Sequence, residues 1–428
     1  MHRVHRLIAP LAVIAVVLAA CGSGGSSGGA GENTGVIKVF GAFRSPESDR
    51  FAEAIKAFED SSGVDVQYEG SSDFATLINT RVEAGDPPDI AAFPQPGLLY
   101  RFADAGDLVA LRDDVIANID ANYGPGWKDL GSRDGTPYGV FHRVNAKGFV
   151  YYPKGPWEAA GYQVPETWDD LQALMDQMVA DGTPPWCITI EDGDATGWVG
   201  TDWIEEIILR TGGVDKYDQW VNHDITFEDP LVKTAWQTLG DIWLNPDYVY
   251  GGTTQILSTR FQDGANPMFD NPPKCWMHNQ GSFMTGLFPD AVQANLDSTV
   301  GVFTLPAIDS SIGTPAEVGG DAFAAFADRP EVMDFLKYLT TPQSGETWMK
   351  AGGALFPYKN QDFSLYSSDI ERSFAQIIAN ASQARFDGSD SMPAAVGNGS
   401  FWKGIVDYVS GTDLDSVLKS IDDSWPSS

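Results

Sequence analysis

Cysteine is scarce in this chain, with three in 428 residues, at positions 21, 187 and 275. Histidine is also scarce, with five, and His2 and His5 stand at the extreme N-terminus. Cys275 and His278 have a ligand-like spacing, but no second such pair completes a tetrahedral set, so no metal site and no cofactor are expected. Basic residues are few: 27 Lys and Arg stand against 59 Asp and Glu, a formal net charge of −32. That balance argues against nucleic acid and against a basic membrane-binding face. The plain reading of the acidity is a solvated surface. Charged residues at 20% and apolar residues at 43% mark a globular chain, long enough for two lobes or domains.

What is present begins with MHRVHRLIAPLAVIAVVLAAC. Arg3 and Arg6 form a positive start, and Leu7 to Ala20 is an apolar run too short and too Ala-rich for a comfortable membrane span. Leu18-Ala19-Ala20-Cys21 resembles the bacterial lipobox, which implies cleavage after residue 20 and lipidation of Cys21. Residues 21–35 are rich in Gly and Ser, cannot bury a core, and read as a flexible tether. Outside the cytoplasm Cys187 and Cys275 are expected to form a disulfide, closing a long loop for about 4 kcal/mol by chain entropy. Two buried free thiols are the alternative.

Val36 to Phe40 reads as a strand, and Phe51, Ile55 and Phe58 share one face of a helix that Gly63 stops. Val64 to Tyr68 alternates as a second strand. Leu77, Ile78 and Val82 lie in a second helix that Asp73 can cap. Ile90 to Phe93 is a third strand. The order β-α-β-α-β predicts an open parallel sheet with ligand loops beyond the strands' carboxyl ends. Tyr138 to Tyr152 reads as extended chain crossing to a second unit. Helices are expected over Pro165–Gly182, Thr201–Gly212, Asp328–Leu339, Gln343–Ala351 and Phe401–Val409, with a late strand at Val300–Leu305.

Three stretches, GDPPDIAAFPQPGLL (Gly85–Leu99), CWMHNQGSFMTGLFP (Cys275–Pro289) and VGGDAFAAFADRPEVMDFLKYLTTPQSGETWMKAGG (Val318–Gly353), resemble the extracellular solute-binding proteins of ABC importers. The resemblance is to the group that carries maltose-type and other α-glucosides. It implies a periplasmic-binding-protein-like type II fold: two α/β lobes, crossing strands, and a ligand cleft between them. Carried over, lobe one would be residues 36–145 and 305–355, and lobe two residues 146–304 and 356–428. The crossings would fall near Arg143–Phe149 and Val300–Leu305. The resemblance also implies a lipid-anchored, extracytoplasmic receptor. It would act as a monomer, deliver a carbohydrate to ABC permease subunits, and touch the membrane through its anchor alone.

Sugar sites combine aromatic faces, which stack on the C–H faces of a pyranose, with planar charged groups that fix hydroxyls. In PWCITIEDGDATGWVGTDWIEEIILR (Pro185–Arg210) the candidates are Trp198, Asp202 and Trp203. Trp203 shares the helix face of Ile207, so packing competes with stacking. The resemblance adds Gln280 as a hydrogen-bonding group, Phe283 or Trp276 as a platform, Gly320 and Asp321 near ligand, and Trp402 as a stacking ring. Loop position adds Glu47, Asp73 and Gln95. Arg385 could hold a hydroxyl or pair with Asp387 or Asp390. A glycoside hydrolase remains an alternative, since it too needs carboxylates beside rings, but no short motif fixes an acid and its partner across a scissile bond. A polyamine or peptide receptor of the same fold is a second alternative. The carboxylates of Pro185–Arg210 are therefore read as solvated surface, caps and hydroxyl acceptors rather than catalysts.

Overall fold

A six-stranded sheet and a three-stranded sheet organise the described residues, beside a short two-stranded pair. A computed structural model describes residues 35–380 and 384–426. The expectations for the leader, Cys21 and residues 22–34 of the tether lie outside the described residues. The described residues hold eleven strands in chain order: β1 Val36–Gly41, β2 Asp65–Gly70, β3 Ile90–Phe93, β4 Ser132–Arg133, β5 Thr136–Pro137, β6 Gly139–Ala146, β7 Phe149–Pro153, β8 His278–Gln280, β9 Val300–Thr304, β10 Glu317–Ala325 and β11 Arg385–Phe386. β1 pairs in parallel with both β2 and β3. β10 runs antiparallel to β3 through Ala322–Ala325 and antiparallel to β6 through Val318–Ala324. Its other end, Glu317–Val318, pairs in parallel with β11. The second sheet is β8-β7-β9, antiparallel throughout.

The expected β-α-β-α-β start is present, with helices Glu47–Ser62 and Phe74–Glu83 between the strands. In the first of these helices Phe51, Ile55 and Phe58 are buried, and Gly63 closes it in the left-handed conformation at φ 72°, where a Cβ would be strained. Asp73 stands at the start of the second helix but makes no side-chain cap bond, which corrects the expectation that it caps. The helix expected over Pro165–Gly182 is Trp168–Ala180, entered through a reciprocal cap between Thr167 and Asp170.

The segment read as extended chain divides at Lys147–Gly148, where β6 of the large sheet becomes β7 of the small one. Gly148 is needed there twice over. Its φ is 75°, and a Cβ would stand 2.3 Å from a Glu206 carboxyl oxygen. The helix expected over Thr201–Gly212 runs Trp198–Val221, broken at Gly213 (φ 73°, ψ 178°). It is buried on all sides from Val199 to Arg210, the pattern of a helix enclosed by protein. Among the described residues no helix is long and apolar enough to cross a membrane.

Cys187 and Cys275 form the expected disulfide, with Cα atoms 5.5 Å apart. It ties the segment before helix Trp198–Val221 to the segment before β8.

Candidate ligand-binding site

The carboxyl ends of β1 and β3 present the loops carrying Arg44, Glu47 and Gln95. Facing them are Trp198, Phe261, Phe283 and Trp402. Between these groups lies a cavity of about 150 Å³, a size that holds roughly one six-membered ring. β6 and β10 run along its floor.

The floor shows a period of two. Arg143, Asn145 and Lys147 alternate along β6 and just past it, and all three line the cavity, as same-face residues of a strand do. Arg143 bonds Glu47 at 2.5 Å and Asp321 at 3.1 Å. Its guanidinium lies 4.9 Å from the Phe43 ring centre and 5.7 Å from that of Phe283. Burial pushes Asp321 up to about 6 against the pull of Arg143. Beside Asp321, a Cβ on Gly320 would meet the Arg143 carbonyl oxygen at 2.9 Å, so glycine lets β10 and β6 approach.

The aromatic wall is built from edge-on contacts. Trp198 meets Phe261 with centroids 4.9 Å apart at 77°, and Phe283 at 6.0 Å and 55°. The Trp198 indole N–H donates to Asp192 at 3.0 Å, and Asp192 also pairs with Arg44 across the cavity. Burial raises the Asp192 pKa against the opposing effects of Arg44 and Trp198.

Several buried polar atoms lining the cavity make no hydrogen bond to the described residues. Gln95 Oε1, Asn145 Oδ1 and Gln262 Oε1 are acceptors, while Trp402 Nε1 and the Nε atoms of Arg44 and Arg143 are donors. Buried polar groups are seldom left so. Acceptors and donors on residues around one small space call for ligand groups that can both give and take a hydrogen bond, and a hydroxyl does both.

Behind the floor, Lys147 Nζ lies 2.7 Å from Asp202 and 3.6 Å from Glu317, and also contacts Asp387. One oxygen from each of these three carboxyls falls within 4.8 Å of the others, an arrangement able to hold a cation. The Lys147 ammonium is the cation found there. Glu206 pairs with Arg210 one helical turn away.

Of the thirteen residues proposed from sequence, the structure brings Glu47, Gln95, Trp198, Phe283, Gly320, Asp321 and Trp402 to the cavity lining. The other six are placed elsewhere. Trp203 packs between Trp186 and Trp243 in the core, as its shared face with Ile207 allowed. Trp276 stands edge-on to Tyr162 at 5.0 Å, and Gln280 Oε1 accepts the Gly281 N–H at 2.9 Å. Asp73 reaches across to the Asp194 N–H at 3.2 Å. Asp202 is held by Lys147 below the floor. Arg385 grips Asp218 with two bonds of 2.6 and 2.9 Å, rather than Asp387 or Asp390. The reading of Asp202, Glu205 and Glu206 as solvated surface is also corrected, since all three are buried, while Glu205 does accept the N–H groups that open helix Gly388–Ser391.

Sequence reasoning did not select Arg143, Asn145, Lys147, Asp192, Asp387 or Asp390. The alternation of three polar residues in HRVNAK, inside a segment read as a crossing strand, was a usable signal for the first three. The rest come from loops whose approach to the cavity depends on tertiary packing.

Residues 45–346 match the family described as bacterial extracellular solute-binding protein. The osmoprotective compounds-binding protein GgtB of Synechocystis sp. is 41% identical over 396 residues, covering 92% of this chain and 93% of the relative. The alpha-glucosides-binding periplasmic protein AglE of Rhizobium meliloti is 35% identical over 400 residues, covering 91% and 87%. The solved structure of the bacterial solute receptor AcbH, which prefers β-D-galactopyranose, has a TM-score of 0.77 at 21% identity, over 91% of this chain and 97% of that one. This last likeness concerns the fold, the type II arrangement of two α/β lobes about a cleft.

Proposed function

The chain belongs to the bacterial extracellular solute-binding proteins, and we propose that it captures an α-glucoside, seating one of its rings in the cavity, and delivers it to an ABC importer. The observation that carries this reading is the set of unpaired donors and acceptors on the residues around one ring-sized space, beside Trp198, Phe283 and Trp402. Aromatic faces and charged planar groups in a cavity that excludes water suit a pyranose. The relative AglE, an alpha-glucosides-binding protein, supports a glucoside. On this reading residues 36–145 and 305–355 form one closing lobe and residues 146–304 and 356–428 the other, with Cys21 as the lipid anchor on the outer face of a membrane. The protein acts as a monomer.

The acidic composition does not favour a polyamine. Of the five carboxylates lining the cavity, Glu47, Asp192, Asp321 and Asp387 are already paired with Arg143, Arg44 or Lys147. Capture without cleavage follows from the same commitment and from relatives that are solute-binding proteins. Calorimetric titration with maltose, sucrose, trehalose, spermidine and a tripeptide tests the reading. Saturable binding of at least one glucoside, recovered intact, is expected. Binding of spermidine or the peptide alone, or released glucose, contradicts it.

A further inference from the structure

Six carboxyls cluster behind and along the cavity floor: Asp202, Glu205 and Glu206 from helix Trp198–Val221, Glu317 from β10, and Asp387 and Asp390 from the turn after β11. Two cations serve them. Lys147 contacts Asp202, Asp387 and Glu317, and Arg210 holds Glu206. Glu205 accepts from the backbone N–H groups of Gly388 and Ser389 and from the Tyr217 hydroxyl. Asp387 further accepts from the Ser389 hydroxyl and the Asp390 N–H. Asp390 differs. Its carboxyl lines the cavity and takes no hydrogen bond from the described residues.

Among the described residues no cation pairs with Asp390, although Lys147 acts on it from nearby and opposes the rise of its pKa. Lys147 is shared among three other carboxyls. Arg385, on the same segment, is committed to Asp218. Helix Pro96–Ala105 packs on the turn at Gly97, where a Cβ would meet the Asp390 carbonyl oxygen at 3.2 Å. Its charged groups are spent elsewhere, Arg101 near Glu83 and Asp104 on Arg133. The segment Ala395–Phe401 carries no charged residue.

Resting on the carbohydrate reading of the cavity, we propose that Asp390 is a further ligand-binding residue that meets a sugar hydroxyl as the neutral acid, donating its O–H, so that capture takes up a proton. A partly buried carboxyl beside the fixed charge of Asp387 and short of donors is more stable protonated. Burial first, and Asp387 second, push Asp390 well above the ordinary carboxyl range. Asp387, by contrast, is lifted by burial but brought below its ordinary value by Lys147 and its other donors. The proton stays on the protein and no bond of the sugar changes.

The test is calorimetry with maltose, sucrose and trehalose from pH 5.5 to 8.5, in phosphate and in Tris, whose ionisation heats differ. For wild type the dissociation constant should rise about tenfold for each pH unit above the Asp390 pKa of the free protein, and the buffer dependence should report proton uptake. Asp390→Asn keeps a donor that cannot titrate, so it should flatten the pH profile and bind more tightly than wild type at pH 8.5. Asp390→Ala should weaken binding about tenfold at pH 5.5. A wild-type affinity independent of pH and buffer, or an Asn variant that follows the wild-type profile, overturns the proposal even where sugar binds. Should either variant fail to fold, the wild-type buffer dependence still decides. Absence of binding by any of the three sugars at every pH rejects the carbohydrate reading itself.

Discussion

Arg143 and Lys147 stand four residues apart on the same floor, each a buried cation between carboxylates, yet their surroundings differ. Arg143 serves two acids, Glu47 and Asp321, and lies over the Phe43 ring. Lys147 serves three, with Glu205, Glu206 and Asp390 close behind and Arg210 as the other cation. The Arg143 site has the smaller surplus, one cation for two acids. The other has more acid than base, and burial pushes the pKa of Asp202, Glu205, Glu206, Glu317 and Asp390 upward. A carboxylate paired with a buried cation is held in place, whereas a larger surplus of buried acid favours the protonated form. The same chemical device thus gives a fixed platform at one end of the cavity and a proton-holding cluster at the other.

Breaking the crowded site should cost most. Lys147→Met removes the shared cation from Asp202, Asp387 and Glu317 and should destabilise by about 3–5 kcal/mol, measured by urea unfolding, with the smallest loss at acid pH. Arg143→Met should cost about 3 kcal/mol and weaken sugar binding as well, since Glu47 and Asp321 would then face each other unpaired.

The pH dependence of wild-type stability sharpens the contrast. Carboxyls whose folded pKa is raised bind more protons in the native state, so stability falls as pH climbs from about 4 through their folded values, which for Asp321 is about 6. His142 and His278, lowered by burial to about 3 and 4, act in the opposite sense below about pH 6.5. The raised carboxyls outnumber them, so the thermal midpoint should be higher at pH 5.5 than at pH 8; a flat or rising profile contradicts this. The smallest effect is expected at a third ion pair. Arg385 and Asp218 are partly exposed, at 29% and 45% of their side-chain surface, so Arg385→Ala should change stability by about 1 kcal/mol or less.

Much of this architecture was legible before the structure. The β1-to-β3 half of the large sheet follows from period-two and period-3.6 patterns, and Glu47 and Gln95 from the rule that ligand loops follow parallel strands. Trp402, Phe283 and Asp321 came through family resemblance rather than spacing. The failures have a common cause. Asp202, Glu205, Glu206 and Arg210 fall on one face of a helix at intervals of three and four, and such a stripe usually faces water. Here the neutralising partner, Lys147, lies more than fifty residues earlier in the chain, so the sequence around the stripe gives no sign of burial. Arg385 failed for a similar reason. Its local acids, Asp387 and Asp390, lost to Asp218, a residue brought near only by folding.

The central claim is that two lobes enclose one small carbohydrate and leave it whole. Native mass spectrometry of the protein mixed with maltose, sucrose or trehalose reads this directly. A single added mass equal to one intact glucoside, lost on Trp402→Ala, is the predicted result. No adduct with any of the three, or an adduct of cleaved sugar, would contradict it.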